Sequence, residues 1–247
     1  MLYQLRMDDN REKKKFLSSL VIPVIFVALM WVVKVVEYCF GLDLGVWGLR
    51  PHYWKGLYGI FTMPFLHGSW EHLMTNSVPI LVLGTALYYC YSSIATKVFG
   101  LSFVLSGFLT WCIASRGVHV GASALIYALN LFLIVSGLIR RDGKLIAISL
   151  IMVFLYGSFV WGMIPSLAKF QNISWEGHLA GFITGVFLAF VYRKQGPQRE
   201  VYHWEEDEEG EKDDDDDDEH PDGGEKPYWD VPAPSNDELT VRYRFRH

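Results

Sequence analysis

Six runs of apolar residues, each near the length needed to cross a bilayer, constrain this chain before anything else does. They are Phe16 to Tyr38, His72 to Tyr91, Val98 to Ala114, Ser123 to Leu138, Leu145 to Met163 and Gly177 to Tyr192. A spanning helix needs about 20 mostly apolar residues, within roughly 17–25. In hydrocarbon the backbone must satisfy its own hydrogen bonds, which an α-helix does within one segment. The expectation is an all-α membrane protein with six spans over residues 16–194. The first run is too long for a signal-peptide core and no small-residue cleavage site follows it, so it reads as a retained helix.

Charge separates the rest. Residues 1–15 are basic, whereas residues 195–247 hold 19 Asp and Glu against six Lys and Arg. The near-neutral average therefore describes neither part, and no basic footprint for nucleic acid is present. The run "EEDEEGEKDDDDDDEHPDGGEKP" is too charged to bury a core and is expected to be a disordered tail of unknown partner. The closing "ELTVRYRFRH" alternates apolar and basic residues and could add a strand to a partner. Basic residues at the span ends orient the chain. With the N-terminus inside, Arg6, Arg11, Lys13, Lys14, Lys15, Lys97, Arg140, Arg141, Lys144, Arg193 and Lys194 are cytoplasmic. Only Arg50, Lys55, Arg116 and Lys169 fall outside, so both termini are expected in the cytoplasm. The long outer loop "DLGVWGLRPHYWKGLYG" is rich in Trp and Tyr, which suits a structure lying in the membrane interface. Cys39, Cys90 and Cys112 show no CxxC spacing and are read as small buried hydrophobes.

Polar groups inside spans are expensive and are functional candidates for that reason. At a rise of about 1.5 Å per residue, Ser123, Asn76 and His178 lie roughly 22–25 Å above the cytoplasmic ends of their spans. Three helices thus bring hydrogen-bonding side chains to one level. His72 and Asn76 share a face at i and i+4, and Ser123, Tyr127 and Asn130 form a stripe on the fourth span. Gly177, Gly181 and Gly185 bracket His178 on the sixth and invite close helix packing. A serine hydroxyl needs a base to become a nucleophile, and histidine suits that task. His72, Asn76 and the Ser123 backbone N–H could stabilise the resulting oxyanion. Glu176 lies two residues from His178 and cannot face the same way, so a Ser–His dyad fits better than a triad. A zinc site is disfavoured, because His67 and His72 are five residues apart and no HExxH is present. His67 is expected in the loop before its helix, and His52 and His119 read as ordinary interface residues.

These residues together resemble the rhomboid intramembrane serine proteases. The likeness rests on "GASA" at Gly121 to Ala124, "HGSWEHLMTN" at His67 to Asn76, "GHLAGFITG" at Gly177 to Gly185 and "WGLRP" at Trp47 to Pro51, in that family's order across the spans. It implies a six-helix bundle of the bacterial type, with Ser123 as nucleophile and His178 as general base. His72, Asn76 and the Ser123 backbone would line the oxyanion hole. Gly121 would keep the approach to the serine open, and Tyr127 would pack on His178. It further implies transmembrane protein substrates cut near the outer face, no metal or organic cofactor, and a cell-membrane location. Gly177 departs from the family's commoner alanine. The alternative is a catalytically inactive relative that binds transmembrane clients; a polytopic transporter is disfavoured, because few polar residues run on beyond Asn130 toward the cytoplasmic side.

Overall fold

The computed structural model describes residues 2–115, 117–141 and 174–197, with isolated positions between 143 and 154. The element order is helical throughout: α1 (Leu2–Phe40), the single turn α2 (Gly59–Thr62), α3 (Trp70–Cys90), α4 (Ala95–Ile113), α5 (Ser123–Arg140) and α6 (Trp175–Val191). Among the described residues, four helices are long and apolar enough to cross a membrane: Asn10–Phe40 within α1, and α3, α4 and α5. The apolar α6 is shorter, at 17 residues. The expected fifth span and the acidic tail lie outside the described residues.

Helix α1 carries the basic segment and the first apolar run without a break, from Leu2 to Phe40. One boundary shifts from the sequence expectation. The helix of the second apolar run, α3, starts at Trp70, where the Ser69 side chain accepts the His72 backbone N–H at 3.0 Å and caps it.

The core gathers α1, α3, α4, α5 and α6 around Met30, Leu73, Leu83, Val98, Leu125, Leu129, Phe132 and Leu188. Side-chain size sets how close each pair comes. Pro23 of α1 rests on Gly84 of α3, where an added Cβ would lie 2.8 Å from the proline ring. On α6, Gly181 faces the Ala124 carbonyl and Tyr127, and Gly185 faces the Ala128 carbonyl and Leu131, with no room for a Cβ at either. This repeat at i and i+4 is the small-residue approach expected between membrane helices.

The loop between α1 and α3 is built rather than loose. Short helical turns occupy Leu44–Trp47, Trp54–Gly56 and Met63–Phe65 around α2. Trp47, Tyr53, Trp54, Tyr58 and Phe61 project from it, exposed. Leu49 and His119 exchange both backbone hydrogen bonds at 2.9 Å, tying this loop to the segment that leads into α5.

The cysteines differ from expectation. All three are free thiols, but Cys39 is exposed and Cys90 and Cys112 are only half-buried. They stand at helix ends, where there is less core to cover them.

Candidate active site

Ser123 is the first residue of α5, and Ala122 caps that helix without a side-chain bond. The opening N–H groups of a helix have no intrahelical partner and carry the positive end of its dipole. Ser123 is therefore set in a ring of backbone donors at the mouth of the bundle, and it is half-exposed. Just before it, Gly121 has φ +105°, a backbone that side chains resist. Its N–H is spent on the Met63 carbonyl at 2.9 Å. A Cβ on Gly121 would fall 2.6 Å from the His72 ring. The imidazole of His72 thus lies directly over the turn that presents Ser123.

On α6, His178 is buried, 5% exposed. Its ring stacks on Tyr127, with centroids 4.2 Å apart and 15° between planes. Tyr127 is one turn below Ser123 on α5. Gly181 sits on Ala124 and Gly185 on Ala128, and His178 stands three residues before Gly181 on α6. Asn76 is 3% exposed, and its amide donates to the His72 carbonyl of its own helix at 2.7 Å. That bond takes one of two amide hydrogens and leaves the second available.

His67 sits in the loop before α3, 4% exposed, with its ring 5.1 Å from that of His72. It does not cap the helix; Ser69 does. Burial, then the neighbouring His72 and, less, Lys34 hold its imidazole down to about 3, against the opposing pull of a bond to the Phe65 carbonyl. The Lys34 ammonium bridges Glu37 at 2.7 Å and the His67 carbonyl at 2.8 Å, pinning the C-terminal end of α1 to this loop. Among the described residues no three His, Cys, Asp or Glu side chains converge to hold a metal.

Several residues outside the expected site brace it. Ser174 caps α6, accepting the Gly177 N–H at 3.2 Å, and meets His119 Nδ1 at 2.8 Å. Glu176, rather than orienting His178, accepts the Ser115 hydroxyl at 2.7 Å. His119 is therefore not an ordinary interface residue, and burial lowers its pKa although Glu176 opposes this. His52 likewise has a partner, its Nε2 lying 3.0 Å from the Ala114 carbonyl. The start of α6 is thereby laced to the loop between α4 and α5. Asn130 is fully buried and neither amide atom finds a partner among the described residues.

At the opposite end of the bundle, Arg140 closes α5. Its guanidinium donates to the carbonyls of Tyr192 at 2.8 Å, Gln195 at 2.6 Å and Pro197 at 3.0 Å, and to the Ser136 hydroxyl. The sequence reading counted it only as a topological charge. Its position as the last residue of an apolar helix gave no sign that the carbonyls ending α6 would converge there.

Fold and site together define a polytopic helical membrane protein that gathers a serine, two histidines and an asparagine at one end of its bundle. The comparisons name the family. A model of the rhomboid domain matches residues 54–195. The chain is 37% identical over 181 residues to uncharacterized proteins of Mycobacterium tuberculosis and Mycobacterium bovis, covering 71% of this chain and 75% of each relative. It is 32% identical over 204 residues to an uncharacterized protein of Mycobacterium leprae, 80% of either chain. The chain belongs to the rhomboid family, whose members are typically intramembrane serine proteases.

Proposed function

We propose that this protein is an intramembrane serine endopeptidase that cleaves transmembrane segments of other proteins near the outer membrane face. Residues 16–194 form its six-span catalytic domain in the cell membrane, with residues 1–15 and the acidic tail from 195 in the cytoplasm. Ser123 is the nucleophile and His178 the base. The single observation that carries the reading is the stack of His178 on Tyr127, one helical turn from Ser123.

The chemistry follows from these positions. His178 takes the hydroxyl proton as Ser123 Oγ attacks the scissile carbonyl, then returns it to the departing amine. Negative charge on the carbonyl oxygen develops beside the free N–H groups opening α5, the second Asn76 N–H and the His72 ring. Water entering from the outer side hydrolyses the acyl-serine, again with His178 as base. Gly121 has no side chain to bar the substrate backbone. No metal or organic cofactor takes part in these steps.

The test is labelling of the purified full chain with a fluorophosphonate, alongside cleavage of a model transmembrane substrate. The wild type is expected to label and cleave. Ser123→Ala is expected to do neither, and His178→Ala to lose at least 10³-fold in rate, in line with removal of an activating base. A wild-type protein that folds, binds transmembrane peptides and never labels would instead be a client-binding relative without activity.

A further inference from the structure

The stretch "WVVKVVEY" near the end of α1 sets a lysine and a glutamate among four valines. Lys34 stands six residues before Phe40, the last residue of the helix, about 9 Å inside its end at a rise of about 1.5 Å per residue. Both side chains are largely covered, Lys34 at 12% exposure and Glu37 at 18%. Taking two charges out of water carries a desolvation penalty, and an ionisable group within a membrane span marks a functional position by default. The pair serves two backbone groups far apart in the chain. Lys34 Nζ donates to Glu37 Oε2 at 2.7 Å and to the His67 carbonyl at 2.8 Å. Glu37 Oε1 accepts the Leu44 backbone N–H at 3.2 Å. Leu44 lies near the start of the loop between α1 and α3, and His67 near its end, two residues before the Ser69 cap. One ion pair therefore holds both ends of that loop.

The segment held in this way meets the turn before Ser123 at two points. The Met63 carbonyl, four residues before His67, accepts the Gly121 N–H at 2.9 Å. The His67 ring stands edge-on to that of His72, with 5.1 Å between centroids and 68° between planes. The His72 ring in turn closes over Gly121, 2.6 Å from where a Cβ would fall. His67 Nε2 is buried and has no partner among the described residues. Beyond a 3.4 Å contact from Nδ1 to the Phe65 carbonyl, the place of the His67 ring is set by its own main chain, which is where Lys34 attaches.

We propose that Lys34 and Glu37 are positioning residues, whose ion pair keeps the His67 and His72 rings in place over the turn that presents Ser123. Neither side chain touches the reacting atoms. Lys34 acts through the His67 main chain and ring on His72, and His72 meets the negative charge that develops on the scissile carbonyl oxygen. An aliphatic pair at these two positions would enter a bilayer more readily, and it would fasten neither end of the loop. This role rests on the function proposed above.

The experiment compares the purified full chain with Lys34→Met, with Lys34→Arg and with a double variant, Lys34→Met and Glu37→Met. Three quantities are read: the second-order rate of fluorophosphonate labelling, kcat and KM on a model transmembrane substrate, and the thermal midpoint. In labelling, Ser123 Oγ displaces fluoride from phosphorus while His178 takes the hydroxyl proton, and the phosphoryl oxygen stands where the oxyanion would. Lys34→Met is expected to lower kcat and the labelling rate about 10–100-fold, in line with a displacement of about 1 Å at the site. KM should change little, because contacts made only in the transition state are lost. The midpoint should fall as well, since Glu37 is left without its counter-charge. In the double variant no charge is stranded, so the midpoint is expected to return toward that of the wild type while both rates stay down. A merely structural pair would restore rate and midpoint together. Lys34→Arg keeps the charge and can reach both acceptors, and it is expected to recover most of the rate. Should Lys34→Met fail to fold, the double variant carries the comparison. A wild type that folds and never labels would overturn the proposed function and this role with it. A wild type that labels, beside a folded double variant of equal kcat and labelling rate, would overturn this role alone.

Discussion

Two seams of this molecule, α5 against α6 and α1 against α3, both close over glycine, and they differ in what the glycine meets. On α6, Gly181 and Gly185 face main-chain carbonyls of α5. On α3, Gly84 faces only the ring of Pro23. Main chain inside a helix cannot shift without moving the whole element, whereas a proline ring can change pucker. The first seam is therefore rigid, and Ser123 and His178 stand at the end where α5 and α6 begin. The second yields, and it widens into an apolar groove at its basic end. Helix α5 is mostly buried, while α1 leaves much of its surface exposed. The lesson is that one residue type can fix a register or merely permit an approach, and the facing atoms decide which.

The contrast can be broken first at α6. Gly181→Leu is expected to prevent assembly of the bundle, seen as loss of a monodisperse peak on size-exclusion chromatography; even Gly181→Ala should cost about 1–3 kcal/mol. Next comes Arg140→Met, which strands the carbonyls of Tyr192, Gln195 and Pro197. With buried polar groups left unpaired at about 1–3 kcal/mol each, a marked fall in thermal midpoint is expected, and Arg140→Lys should recover little because it lacks the planar fork. Gly84→Ala should be mild, below about 1 kcal/mol, since the proline ring can give. If it proved as costly as Gly181→Ala, the distinction between the seams would fail.

A separate prediction concerns acid. With its folded pKa held near 3, His67 stays neutral in the native protein, while the unfolded side chain takes up a proton near 6.5. Between these values the unfolded state binds more protons, so this stability is present above pH 6.5 and is lost as pH falls toward 3. The thermal midpoint of the wild type, followed by tryptophan fluorescence from pH 7.5 to 4.5, should drop more steeply than that of His67→Gln.

Much of this was legible in the residues because membrane burial writes simple patterns. The four long apolar helices and the i, i+4 glycines of α6 follow from helical periodicity in an apolar background. What stayed hidden is long-range and polar. The Leu49–His119 backbone pair joins residues seventy positions apart, and nothing local in either segment marks the other. Arg140 and Glu176 looked like a topological charge and a misdirected acid because their partners come from loops. The Lys34–Glu37 bridge inside the first apolar run was overlooked for a similar reason, since its second acceptor is a carbonyl in the loop before α3.

The Arg140 fork has a mechanical meaning beyond the carbonyls it satisfies. It joins α5 to α6 at one end, while the Ser174–His119 and Glu176–Ser115 contacts fasten the start of α6 beside the start of α5 at the other. Two parallel rods fixed at both ends lose their relative freedom to slide, tilt or part. They form a single plate carrying Ser123 and His178. On the function proposed above, any passage for a substrate helix must then open at a joint between this plate and its neighbours, and the spacing of Ser123 and His178 stays constant while it does.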